Sequence, residues 1–404
     1  MANGVFKDGD GSVNSPYLIE DAYDLFEFCS KSNTLYNTKS AKLANDIDLN
    51  VAPYNTGTGF ALGHTVAFNG VFDGDGYVIR NYFNRQNTAY SGLFPQLGTG
   101  TIKNFGMENI NINNSSQGYQ SAVCGAMNNA AALIENVYVR GGSLTGSSYS
   151  GAICGMLSNG TIRNVYVLNV TFAMYGNYFG AVVGSSANAS AVMYNVWASN
   201  TITNVFNASY CGGVSGNMQS GDATKQFNLY YSNRMNYAGY VSLATVMTEV
   251  TIKDPAFMYN LNSSQPDITY TRWVLQPSTY PMLWFEDFRM FLLLDAGRPI
   301  SNIDFGAVLE GGMSPVKKIR LKNGYMYKIT EMSFAWTRAD GVSDLTELQF
   351  SLDGSFTDNS NPLELKGLNI LRGREFDLYV RVKTYDGVTG AGQFNITATV
   401  TSAE

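Results

Sequence analysis

The phrase Thr161-Ile162-Arg163-Asn164-Val165-Tyr166-Val167 decides the fold, because the chain writes it again and again. It reads Thr101-Ile102-Lys103-Asn104 one step earlier and Ile134-Glu135-Asn136-Val137-Tyr138-Val139 in between. Looser copies follow at Met193-Tyr194-Asn195-Val196-Trp197 and Gln226-Phe227-Asn228-Leu229-Tyr230. The asparagines 104, 136, 164, 195 and 228 are spaced 32, 28, 31 and 33. A second phrase keeps the same beat: its tyrosines 90, 119, 149, 178 and 210 are spaced 29, 30, 29 and 32. Glycines 125, 155, 184 and 216 form a third series. A period near thirty, filled with short β-branched runs, is the signature of a solenoid.

In a parallel solenoid each winding pairs with the next about 4.8 Å away, so like residues stack in columns. Alternation then assigns the faces. Ile102, Ile134 and Ile162 point inward on one wall, and Val137, Val165 and Val196 on the next. The asparagine column falls where two strand pieces meet. Asn tolerates left-handed backbone and bonds locally, which suits a corner and an internal side-chain ladder. The glycine column marks a second corner, too crowded for a side chain.

Composition narrows the function classes. Only 14% of the 404 residues are Asp, Glu, Lys or Arg, against roughly a quarter in ordinary proteins. A net charge of −6 offers no basic stripe for nucleic acid. No apolar run reaches the 18 residues of a membrane span. The first residues lack the regions of a signal peptide, so the expectation is a chain kept in a cytoplasm or released by lysis. Cys124 and Cys154 share a slot in successive repeats, which raises the question of a disulfide; small buried thiols are the plainer reading. The lone histidine, His64, reads as a turn or surface residue.

Upstream, apolar residues at helical spacing over Glu20–Ser30 predict a helix that caps the solenoid's open end. Residues 41–50 alternate as a half-buried strand, and 68–79 read as strand, tight Asp-Gly turn, strand. The phrases Asn-Asp-Ile-Asp-Leu at 45–49, Phe-Asn-Gly-Val-Phe-Asp-Gly-Asp-Gly-Tyr-Val-Ile at 68–79, and then Gly-Leu-Phe and Gly-Thr-Ile-Lys-Asn resemble GLUG-repeat proteins. The resemblance covers residues 8 to about 285 and implies a parallel β-helix of the kind found on adhesins, secreted proteases and phage proteins.

Beyond residue 295 the composition changes. Eight charged residues occur between 101 and 235, and twenty-six between 295 and 404. That shift places a domain boundary near 285–297. The four short alternating runs at 318–322, 347–352, 376–383 and 394–400 predict a β-sandwich. Asp304-Phe305-Gly306-Ala307-Val308, Val316–Asn323 and Tyr379–Val382 resemble an immunoglobulin-like module of the type common on phage particles. The expected layout is all-β: a cap over 1–40, a β-helix over 41–235, a closing segment over 236–294 and an immunoglobulin-like sandwich over 295–404.

Candidate sites follow from these columns. Tyr138, Tyr166, Trp197 and Tyr230 come two residues after each ladder asparagine and alternate with inward residues, so they should face outward as a platform for a glycan or a partner chain. A sheet shielded by the chain's own segments or by a second subunit is the bland alternative. The second tyrosine column, 90 to 210, reads as structural. Asp8, Asp10, Asp73 and Asp75 invite a calcium reading, but a calcium loop's later ligands are missing, and turn chemistry explains them. Glu108, Glu135 and Asp222 are too scattered for a glycosidase pair.

These features predict a protein without enzymatic activity, cofactor or metal. It would serve in a phage virion as a tail, fibre or capsid-decorating component, with the sandwich contacting other virion proteins and the β-helix meeting host glycan. No nucleic acid and no membrane insertion are expected, and a homo-oligomer is compatible. A bacterial adhesin and a polysaccharide lyase or hydrolase are the alternatives.

Overall fold

The computed structural model describes residues 6–403 apart from 63–65, 87, 115–117, 187, 206–209, 219–224, 236–243, 264–272, 275–278, 287–291, 296–297, 300–307, 323–328, 339–345, 357–362, 368–369, 371–374 and 387–393. It divides into two compact units, Met1–Ser264 with Leu275–Leu283, and Gln265–Val274 with Trp284–Glu404.

The first unit is a parallel β-solenoid of about six turns. Its main sheet runs in chain order through Tyr17–Ile19, Ser40–Leu43, Val71–Asp73, Thr101–Asn113, Cys124–Gly146, Cys154–Met174, Ala191–Val205, Gln226–Ser232 and Thr245–Met247. Register is kept from coil to coil. Ile102 faces Ile134, Ile134 faces Ile162, and Ile162 faces Met193. Phe105, Val137, Val165, Val196 and Leu229 form the next column. Both columns are buried in one continuous apolar core.

Such long strands bend because asparagines turn them. Asn104, Asn136, Asn164, Asn195 and Asn228 all adopt left-handed backbone, with φ between 51° and 59°. Their amides reach along the axis: Asn104 Nδ2 donates to Asp73 Oδ1 at 3.0 Å, Asn136 to Asn104 at 2.9 Å, Asn195 to Asn164 at 3.3 Å and Asn228 to Asn195 at 3.1 Å. Asp73 therefore begins the file. A second left-handed file escaped the sequence reading. It comprises Asn81, Asn109 and Asn169 at φ 56–59°, with Gly141 at φ 74° in the slot between the last two. The glycine corner is as crowded as expected: a Cβ on Gly184 would lie 2.4 Å from the Tyr149 carbonyl carbon.

Helix α1 (Ala22–Ser30) starts two residues later than its apolar pattern suggested, because the Asp21 side chain caps it by accepting from the Tyr23 and Asp24 amides. Leu25, Phe28 and Cys29 drive its inner face into the solenoid core. The Asp-Gly stretch at 73–76 turns a coil corner and is not a hairpin tip. Val71–Asp73 and Val78–Arg80 pair with neighbouring coils, and not with each other. Asp75 and Gly76, both at positive φ, make that corner.

In the second unit the antiparallel strands Arg298–Pro299, Leu292–Asp295, Lys317–Lys322, Glu375–Thr384 and Thr346–Ser351 form one sheet in that spatial order. Leu363–Leu365, Ile329–Arg338 and Phe394–Ala403 form another. Ile319, Leu348, Phe350 and Leu378 of the first sheet share an apolar core with Met332 and Phe334 of the second, which is sandwich packing.

Candidate binding surface

The aromatic column expected to lie open is closed. Tyr138, Tyr166 and Trp197 point away from the solenoid core, yet all three are fully buried. Their rings stack nearly parallel, Tyr138 on Tyr166 at 5.1 Å and Tyr166 on Trp197 at 4.6 Å. Tyr138 covers Gly106, its register neighbour in the preceding coil, where a Cβ would lie 2.0 Å from the ring. At the other end Tyr280 takes the next place in the stack, 5.4 Å from Trp197 and tilted by 9°. Tyr230 is turned aside onto Phe257 and receives a hydrogen bond from Asn260 Nδ2 at 2.8 Å.

The covering residues come from the segment expected to close the solenoid's end: α2 (Glu249–Ile252), α3 (Pro255–Ser263) and Tyr280. Glu249 is their anchor. Its carboxylate accepts from Ser199 Oγ at 2.7 Å and also from the hydroxyls of Ser232 and Tyr280. Burial pushes this carboxyl up, but those three hydroxyls and Lys253 outweigh it, so the group titrates below the ordinary glutamate range. Tyr138, Tyr166 and Trp197 are therefore an internal seam, with Tyr230 half-buried against Phe257 at its end. Alternation along the strand gave their direction correctly but could not show that α2, α3 and Tyr280 return over the end of the column.

The open aromatic surface is the other column. Tyr90, Tyr119, Tyr149 and Tyr178 are half-buried, and Tyr210 is 36% exposed. Their ring centroids follow one another at 5.0, 5.0, 4.5 and 4.8 Å, one file along the solenoid. Stacked this way, the rings give their faces to each other and offer a ligand their edges. Tyr175, three residues before Tyr178 in the chain, is 58% exposed and makes no ring contact with a described residue. The residues nearby, Thr88, Ala89, Gly118, Ser147, Ser148, Gly176 and Asn177, are uncharged. Burial, reinforced at Tyr149 by the adjoining phenols, pushes the Tyr90 and Tyr149 hydroxyls above the ordinary phenol value, so these rings stay neutral at physiological pH.

Backbone conformation adds a second signal. Of eleven described non-glycine residues with positive φ, eight are asparagine and one is aspartate. The other two are Tyr149 at 42° and Tyr178 at 64°. Left-handed backbone costs a bulky residue about 1–2 kcal/mol. Asn fills such slots throughout this chain, so the backbone alone does not account for tyrosine at these two.

The acids of the solenoid wall are engaged between coils. Arg80 bridges Asp46 and Glu108, and Arg140 also pairs with Glu108. Arg163 meets Glu135 at 2.6 Å, Lys103 meets Asp73 at 3.4 Å, and Lys42 meets Asp75 at 3.0 Å. Asp8 and Asp10 accept from nearby backbone amides in their turn. Among the described residues no group of three or more His, Cys, Asp or Glu is placed to hold a metal ion. His64 and Asp222 lie outside the described residues.

No family model matches the chain. An alignment 202 positions long, covering 48% of this chain, is 29% identical to Halomucin of Haloquadratum walsbyi and spans 2% of that protein's length. A crystal structure of a Bacteroides ovatus protein, provisionally described as an immunoglobulin A1 protease, aligns with a TM-score of 0.41 at 16% identity, over 69% of this chain and 95% of that one.

Proposed function

We propose that this protein is a non-catalytic attachment module whose solenoid displays the tyrosine file, and the exposed Tyr175, to a neutral glycan. The carrying observation is the file itself: five rings in register on a surface otherwise built of Ser, Thr, Asn, Gly and Ala. A neutral polysaccharide brings no charge to be desolvated. Its hydroxyls find phenolic and amide partners, and its apolar C–H faces find ring edges and the exposed Tyr175 ring. A ligand with a repeating unit also suits a surface that repeats every coil. Wall carboxylates paired with Arg or Lys support the non-catalytic part of this reading, since a glycosidase needs one acid held protonated opposite another. The resemblance of the C-terminal sandwich to modules of phage particles is what supports a virion as the place of display, with the sandwich contacting other virion proteins.

The test is a survey of neutral and acidic polysaccharides with the full chain, beside Tyr175→Ala and Tyr210→Ala. Both positions are exposed, so folding should be intact by melting temperature. The expected result is binding to a neutral polymer, weakened at least about tenfold by each substitution, with no release of reducing ends. Unchanged binding in both variants, or binding confined to acidic polymers, would contradict the assignment.

A further inference from the structure

Cys124 and Cys154 face each other across adjacent coils, as register partners at the head of the strands Cys124–Gly146 and Cys154–Met174. Parallel neighbours lie about 4.8 Å apart, within the roughly 4.4–6.8 Å that a disulfide spans between Cα atoms. Both side chains are fully buried, and each thiol donates to a backbone carbonyl of its own strand at 3.3 Å, Cys124 to Ala126 and Cys154 to Met156. In the same column Phe94 lies on one side, and Val183 and Ser215 on the other. Cys211 belongs to a different column, opposite Phe179, and Cys29 lies on helix α1. Only one cysteine pair is thus placed in adjacent coils at the same slot.

We infer that Cys124 and Cys154 are a site of disulfide formation, closed when the chain folds in oxidising surroundings and left as two thiols in a reducing cytoplasm. The chemistry is thiol–disulfide exchange with a low-molecular-weight disulfide such as oxidised glutathione. One cysteine thiolate attacks that disulfide, forms a mixed disulfide and expels one glutathione thiolate. The second cysteine thiolate then attacks the protein sulfur and expels the other, so the two cysteines are oxidised and one glutathione disulfide is reduced to two thiols. Burial pushes the Cys154 thiol well above its ordinary value and shields it, which makes the folded, reduced pair slow to react. Closure therefore belongs to folding, before the two coils seal. The bond would staple one complete winding, a loop of about thirty residues, and hold the coils in register.

The experiment refolds the full chain from denaturant with oxidised and reduced glutathione, and separately with reductant alone. In the oxidised sample, thiol titration under denaturing conditions should find two of the four cysteines lost, and proteolytic mapping should recover one peptide linking 124 to 154. Its melting temperature should exceed that of the reduced sample by about 5 °C or more. Cys154→Val, which copies the residue that Val183 places in the next coil, should keep its thiols and show no such gain. Four thiols retained by the wild type, a link through Cys29 or Cys211, or a lowered melting temperature would each overturn the inference. The mapping of the wild type decides the matter even if the variant fails to fold.

Discussion

Asn195 shows what a single residue does in this protein. It is fully buried, holds φ at 54°, donates to Asn164 and accepts from Asn228. Alanine there would force a Cβ-bearing residue with no polar group into left-handed backbone and strand both amide neighbours. About 1–2 kcal/mol for the backbone and 1–3 kcal/mol for the lost bonds give an expected destabilisation of roughly 2–5 kcal/mol. Glycine accepts the conformation, so Asn195→Gly should recover about 1 kcal/mol of that. Denaturant midpoints measure both, and equal losses would mean the conformational part of this account is wrong. The asparagine file was legible in sequence because its spacing and chemistry coincide. The Asn81–Asn109–Asn169 file was not, because Gly141 interrupts it and its neighbours lack a recurring phrase. Tyr149 and Tyr178 were legible as members of a column, but their left-handed backbone was not, because nothing in a tyrosine's identity announces it.

At the scale of elements, the informative failure is the covered seam. Strand alternation fixes which way Trp197 and Tyr230 point, but what lies over them is decided by α2, α3 and Tyr280, far along the chain and without a repeat to announce them. That cover hangs on the Glu249 carboxylate, which yields a pH prediction. Glu249 titrates below the ordinary value of 4.5 in the folded protein. Its stabilising contribution is thus fully present above about pH 4.5 and disappears as pH falls through the lower folded value. Acidification through that window should loosen the cover and shift Trp197 emission to the red, identified by difference from Trp197→Phe. Glu249→Gln keeps the shape but weakens the charge-assisted bonds, so it should show part of that shift at neutral pH. An emission maximum indifferent to pH and to the substitution would detach Glu249 from this role.

For the whole molecule, period and register made the solenoid visible before any coordinate, and the rise in charge beyond residue 295 marked a different kind of fold. Columns repeat, so one misread residue changes little. The surface was harder to read, because exposure depends on which segments return over which columns. The same geometry yields both the hidden seam and the open tyrosine file, and both rest on windings that stack in register. Spin labels at positions 90 and 210, four windings apart at about 4.8 Å each, measure this directly. The account predicts a narrow distance distribution near 20 Å, and a broad one or a mean beyond about 30 Å would contradict it.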